Sequence, residues 1–135
     1  MKNRTLQRED IIKILYLIYL YDKTKISYVL DDLINENTDN ASDFIILSVN
    51  EVIKYEKEIK ELANKYLKDW TIDRLSLVDK AILSLGIYEL IYTDTPDIVC
   101  INEAIELAKQ YSDYKVIDMI NATMDNIYHN EVKDE

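Results

Sequence analysis

Cys100 and His129 are the side chains best suited to nucleophilic or metal chemistry here, and the sequence has one cysteine and one histidine. The usual four-ligand zinc sites need more sulfur and imidazole than that pair supplies. Cys100 has no partner for an intrachain disulfide, which points to a reducing, cytoplasmic setting. Gly86 is the single glycine, so the glycine-rich phosphate cradles of P-loop and dinucleotide sites cannot be built. No catalytic residue, metal or cofactor is therefore expected. Recognition chemistry is left. Lys2, Arg4 and Arg8 form the only N-terminal basic cluster, and Tyr16 follows Arg8 two helical turns later. Cations that track phosphates, beside flat rings on which bases stack, are what hold single-stranded RNA. The same residues also suit a solvated helix start followed by a core tyrosine, and spacing alone leaves both readings open.

The overall charge runs the other way. Twenty-six acidic against 16 basic residues give a formal net charge of −10, which argues against an indiscriminate nucleic-acid binder. Net charge does not exclude a local basic patch, so the location of the cations decides. No membrane association is expected. The apolar run from Ile11 to Tyr21 would cover only about 16 Å as a helix, half a bilayer core. Glu9 and Asp10 before it, and Asp22 and Lys23 after it, do not fit a signal peptide.

The elements that must position these residues read as all-α. Apolar residues recur at helical spacing, while sheet punctuation by glycine and proline is missing. A first helix from Leu6 or Gln7 to Tyr21 is apolar nearly all round and is expected at the centre of a bundle. A shorter helical segment runs from Ser27 to Asn35, and Asn35 to Asn40 reads as a loop. Ser42 to Lys68 is one helix or two, with Glu56, Lys60, Glu61 and Lys65 on a solvated face. Ser76 with Asp79 predicts a capping box that opens a helix to Tyr92. Gly86 within it costs about 1 kcal/mol relative to alanine, and its simplest use is close approach of another helix. Pro96 closes that segment. Helices from about Ile98 to Tyr111 and Tyr114 to Tyr128 follow, and Glu131 to Glu135 should fray.

Three of these segments carry a likeness. WTIDRLSLVDKAILSLGIYELIY from Trp70 to Tyr92, IVCINEAIELAKQY from Ile98 to Tyr111 and INATMDNI from Ile120 to Ile127 together resemble the NusB family of transcription antitermination factors. The resemblance implies a single domain over 1–135, a compact fold of about six or seven helices in two small bundles packed crosswise. The N-terminal subdomain would cover about 1–69, the C-terminal one about 70–130, and 131–135 the tail. It also implies a non-enzymatic adaptor that binds boxA-type single-stranded leader RNA together with ribosomal protein NusE. Such an adaptor acts indirectly on the RNA polymerase elongation complex during ribosomal RNA synthesis. Family members include monomers and dimers, so a homodimer is one of two expected states.

Carried onto this sequence, the resemblance assigns RNA contact to Lys2, Arg4, Arg8, Tyr16 and Asn121, and acidic contacts to the protein partner at Asp79 and Glu89. The family's Phe-Val-Asn-Gly pattern is here Met119, Ile120, Asn121 and Ala122, and Thr5 and Leu6 thin the basic start. Lys115 is expected to restore a phosphate contact, and Tyr111 or Tyr114 a stacking face. Asn102 and Glu103 read more simply as capping residues. The alternative function is a protein-only interaction module that has lost the RNA face. A fused RNA methyltransferase is disfavoured because there is no glycine-rich cofactor loop.

Overall fold

The computed structural model describes residues 2–132. Among them are seven α-helices and no strand: α1 Arg4–Thr24, α2 Leu30–Asn37, α3 Asp43–Lys54, α4 Glu56–Tyr66, α5 Leu77–Tyr92, α6 Asp97–Tyr111 and α7 Tyr114–Ile127. A single 3-10 turn, Ile72–Arg74, precedes α5, and a π-helical turn, Tyr128–Val132, follows α7. None of these helices is long and apolar enough to cross a membrane.

Local chemistry explains where the helices depart from the periodicity. α1 starts before Leu6 because the Asn3 side chain accepts from the Leu6 amide at 2.9 Å, filling one of the orphan donors of the first turn. It ends at Lys25, held in the left-handed region at φ 60° while its N–H reaches back to the Asp22 and Tyr21 carbonyls. α2 begins only at Leu30 and runs on to Asn37, into the stretch expected to be a loop. Leu33 and Ile34 are buried, and the Asn37 amide donates to the Leu33 carbonyl at 2.8 Å, so a polar sequence still closes a turn. The segment 42–68 resolves into two helices that break at Tyr55 (φ −100°, ψ 17°). The freed Tyr55 ring stacks on Tyr92, with centroids 4.1 Å apart and planes 7° from parallel.

The centre of the molecule is α5, not the first helix. Every residue from Ala81 to Leu90 is buried, because α5 packs against α1, α3, α4, α6 and α7 at once. At roughly 2 kcal/mol for each large aliphatic side chain removed from water, this helix carries a large share of the core. α1 supplies Ile11, Ile14, Leu15 and Ile18 to the same cluster but leaves Lys13 exposed. Gly86 is where α5, α6 and α7 converge: a β-carbon there would lie 2.7 Å from Met124 Cε and 3.5 Å from Ala104 Cβ. The chain end is tied down rather than frayed as far as it is described. Glu131 accepts from Lys65 Nζ at 2.9 Å and from the Tyr66 hydroxyl; residues 133–135 of the expected tail lie outside the described residues.

Candidate recognition surface

The basic residues at the start of the chain, Lys2, Arg4 and Arg8, meet three different fates. Arg8 is only 4 % exposed. Its Nε donates to Glu89 Oε2 at 2.8 Å and its Nη2 to Glu89 Oε1 at 2.7 Å, a two-pronged pair between α1 and α5. Nη1 adds Glu103 of α6 at 3.2 Å, where Thr5 Oγ1 also donates at 2.9 Å. The two carboxylates hold the Arg8 guanidinium above its ordinary range against the opposing cost of burial. Lys2 is bound to the buried Asp10 at 2.8 Å while remaining half exposed. Arg4 is exposed, and among the described residues it has no carboxylate within ion-pair distance. It lies 4.0 Å above the Phe44 ring of α3 and donates to Gln7 Oε1 at 3.2 Å.

Tyr16 faces elsewhere. With Glu9, Ile12 and Lys13 of α1, Val78 of α5 and Tyr111 of α6 it lines a small open cleft of about 190 Å³. Glu9, Ile12, Lys13 and Tyr16 share one helix face by their spacing of three and four, so Tyr16 opens onto a cleft that Arg8 does not line. Tyr111 and Tyr114 are 52 % and 75 % exposed, and Lys115 is exposed at the start of α7. The first turn of α1 meets α6 at Glu103, whereas Tyr16 meets Tyr111 at the far end of the same helix. Lys115 follows Tyr111 by four residues, across the α6–α7 corner. Asn121 is exposed further along α7. Lys2 and Arg4 lie at the start of α1, whereas Lys13, Tyr16 and Tyr111 line the cleft, with Tyr114 and Lys115 following Tyr111 in the chain.

The two acidic candidates are not free surface carboxylates. Glu89 is 2 % exposed and spent on Arg8, which corrects its expected place on the helix surface. Asp79 is 7 % exposed. Its backbone N–H donates to Ser76 Oγ at 3.1 Å, as the capping reading required, but its carboxylate accepts from the Ser112 hydroxyl of the α6–α7 corner. Glu103 is likewise no helix cap: it lies well inside α6 and bonds Thr5 and Arg8. Sequence reasoning missed Lys13 and Phe44. Lys13 interrupts an apolar run and sits one turn from Tyr16, a signal that was legible. Phe44 is the one phenylalanine, yet nothing in its neighbours reveals that α3 carries it to the first turn of α1.

No group of three or more histidine, cysteine or carboxylate side chains among the described residues is placed to hold a metal ion. Burial, together with the Glu89 carboxylate, pushes the Cys100 thiol up to about 12, so it is not a nucleophile at neutral pH. The arrangement is one of exposed rings and cations on a helical scaffold.

The NusB family model matches residues 5–129. Transcription antitermination protein NusB of Staphylococcus aureus (strain JH9) is 42 % identical over 102 residues, which cover 76 % of this chain and 76 % of that protein. A structure of T. maritima NusB superposes with a TM-score of 0.84 at 27 % identity, covering 98 % of this chain and 94 % of that one. A chain from a crystal structure of the antitermination factors NusB and NusE in complex with dsRNA has the same fold, with a TM-score of 0.76 at 24 % identity over 93 % of this chain and 96 % of that one. The all-α scaffold, the three sequence blocks and a match over nearly the whole chain agree, and the chain belongs to the NusB family, whose role in transcription antitermination is not enzymatic.

Proposed function

We propose that this chain is a cytoplasmic antitermination adaptor that holds boxA-type single-stranded RNA together with ribosomal protein NusE and so keeps RNA polymerase elongating through ribosomal RNA genes. The observation that carries the reading is the cleft that Tyr16 and Tyr111 line with Lys13, with Tyr114 and Lys115 exposed just after Tyr111 in the chain. Stacking faces interleaved with cations are what an unpaired strand needs. Lys2 and Arg4 extend the contact toward the first turn of α1, and Asn121 along α7. Arg8 is assigned to the scaffold. A chain of the same fold from a complex of NusB and NusE with dsRNA supports NusE and RNA as partners, and the single-stranded form of the RNA rests on the exposed rings and cations.

For NusE, the acidic surface of a chain of net charge −10 suits a basic ribosomal protein. Asp79 would reach it by exchanging the Ser112 hydroxyl for a donor of the partner. Glu89 is not part of that contact. The buried state of Arg8 and the acidic balance also fit the second reading, a protein-only module, and one titration separates the two. Fluorescence anisotropy of a boxA oligonucleotide and a scrambled one, each with and without NusE, should give weak selective binding alone and tighter binding with NusE. With about two to four phosphates neutralised, log affinity against log salt should slope at roughly −0.7 per phosphate. Equal affinity for both oligonucleotides, with NusE binding retained, overturns the RNA reading in favour of the protein-only one.

A further inference from the structure

Three cations cluster around the start of α1, Lys2 just before it and Arg4 and Arg8 within it, and two of them are paired with carboxylates. Arg8 has two carboxylates and Lys2 has Asp10. Arg4 instead has a ring beneath it and one amide oxygen at its edge. Both contacts are themselves fixed. Ser42 caps α3, accepting from the Ile45 amide at 3.2 Å, which sets the turn on which Phe44 sits. The same Ser42 hydroxyl donates to Gln7 Oε1 at 2.6 Å, and the buried Gln7 donates through Nε2 to the Lys2 carbonyl at 2.8 Å. Arg8, anchored from below, also lies 5.4 Å from the centroid of the Phe44 ring. The guanidinium of Arg4 uses one of its five N–H donors on Gln7, and the rest are left for an anion.

We propose that Phe44 is a positioning residue for RNA binding: its ring face holds the Arg4 guanidinium flat and pre-ordered, so that its free N–H edge meets a backbone phosphate. The inference rests on the RNA-binding reading above and adds a residue from α3 to it. An arginine side chain loses much rotamer freedom when it grips a phosphate, and a ring that has already ordered it lowers that cost. A guanidinium over the face of a half-buried ring keeps its in-plane donors available, which an ion pair with a carboxylate would not.

The test is a double-mutant cycle on the full chain, with a single-stranded boxA oligonucleotide as probe and affinity measured across a salt series. Phe44→Leu should weaken binding about two- to fivefold and make the salt slope shallower by about 0.7, the loss of one phosphate contact. Arg4→Gln should do the same, and the double variant should be no weaker than Arg4→Gln alone, because Phe44 acts only through Arg4. Phe44→Tyr, which keeps the face, should restore wild-type slope and affinity. Phe44→Met keeps bulk without a ring and gives the same reading if leucine disturbs α3. Losses that multiply in the double variant, or a Phe44→Leu protein with wild-type slope, overturn the proposal while leaving RNA binding intact. Wild-type protein with no salt-dependent affinity for the oligonucleotide overturns the RNA reading itself and this inference with it.

Discussion

Arg8 of α1 and Glu89 of α5 meet fork to fork, with two parallel N–H···O contacts of 2.8 and 2.7 Å, both side chains at most 5 % exposed. This geometry turns a cation of the basic N-terminal segment into a rivet between helices, and Glu103 extends it to α6. Removing one partner of a buried ion pair leaves the other charged and desolvated. Arg8→Met should therefore cost about 3–5 kcal/mol of unfolding free energy. Arg8→Met with Glu89→Leu should recover much of that loss, read by denaturant titration. Equal destabilisation by the single and double variants would mean that packing, not the stranded carboxylate, sets the cost.

Asp73 is gripped by Lys60 and by Lys80, the latter at 3.2 Å. The Lys60 contact is the largest cause that holds its carboxyl below the ordinary aspartate range. A depressed folded value means that the pair stabilises above the unfolded value of about 4 and stops doing so as pH falls through the folded one. The group is largely exposed, so the contribution at pH 7 should be no more than about 1 kcal/mol. Asp73→Asn should then be slightly less stable than wild type at pH 7, and the gap should close on acidification below about pH 4. A gap that widens in acid would reverse the assignment.

Gly86 has no unusual backbone angle to excuse it; what it avoids is Met124. Alanine gains about 1 kcal/mol of helix propensity but must push aside the end of a flexible methionine that has no exposed volume to enter. Those effects nearly cancel, so Gly86→Ala should lie within about 1 kcal/mol of wild type. Gly86→Val adds two more methyl-sized groups and β-branching, and should cost about 1–3 kcal/mol. Thermal melts of the pair decide: a valine variant as stable as wild type would show that α7 is free to move away.

Cys100 is 1 % exposed, and burial is the largest cause that pushes its thiol up to about 12. At pH 8 a disulfide reagent such as 5,5′-dithiobis-nitrobenzoate should label it at the rate of unfolding, and immediately in denaturant. Fast labelling of the folded protein would show that α6 opens locally around Cys100.

The fold was largely legible because it depends on periodicity and caps. The Ser76 cap, the close-approach role of Gly86 and the end of the segment before Pro96 all stand as expected. Boundaries slipped where a side chain did the capping unseen, as at Asn3 and Asn37. The site was legible only by residue type. Lys2, Arg4 and Arg8 look alike in sequence, and what separates them is which carboxylates from distant helices reach them, a fact of tertiary packing. Glu89 and Asp79 likewise read as surface acids until Arg8 and Ser112 are brought to them. Tyr16 lines a cleft away from Arg8 because eight residues do not return to the same azimuth on a helix of 3.6 residues per turn.

The enclosure of α5 on every side has a practical bearing on genetics. A selection that scores only failure to bind would be crowded with hits from Ala81 to Leu90, since almost any change there lowers the amount of intact protein. Hits at Tyr16, Tyr111 or Lys115, positions that water already reaches, would leave abundance near normal. Quantifying soluble protein beside the binding phenotype sorts the two populations, and the interior helix then serves as the internal standard for misfolding.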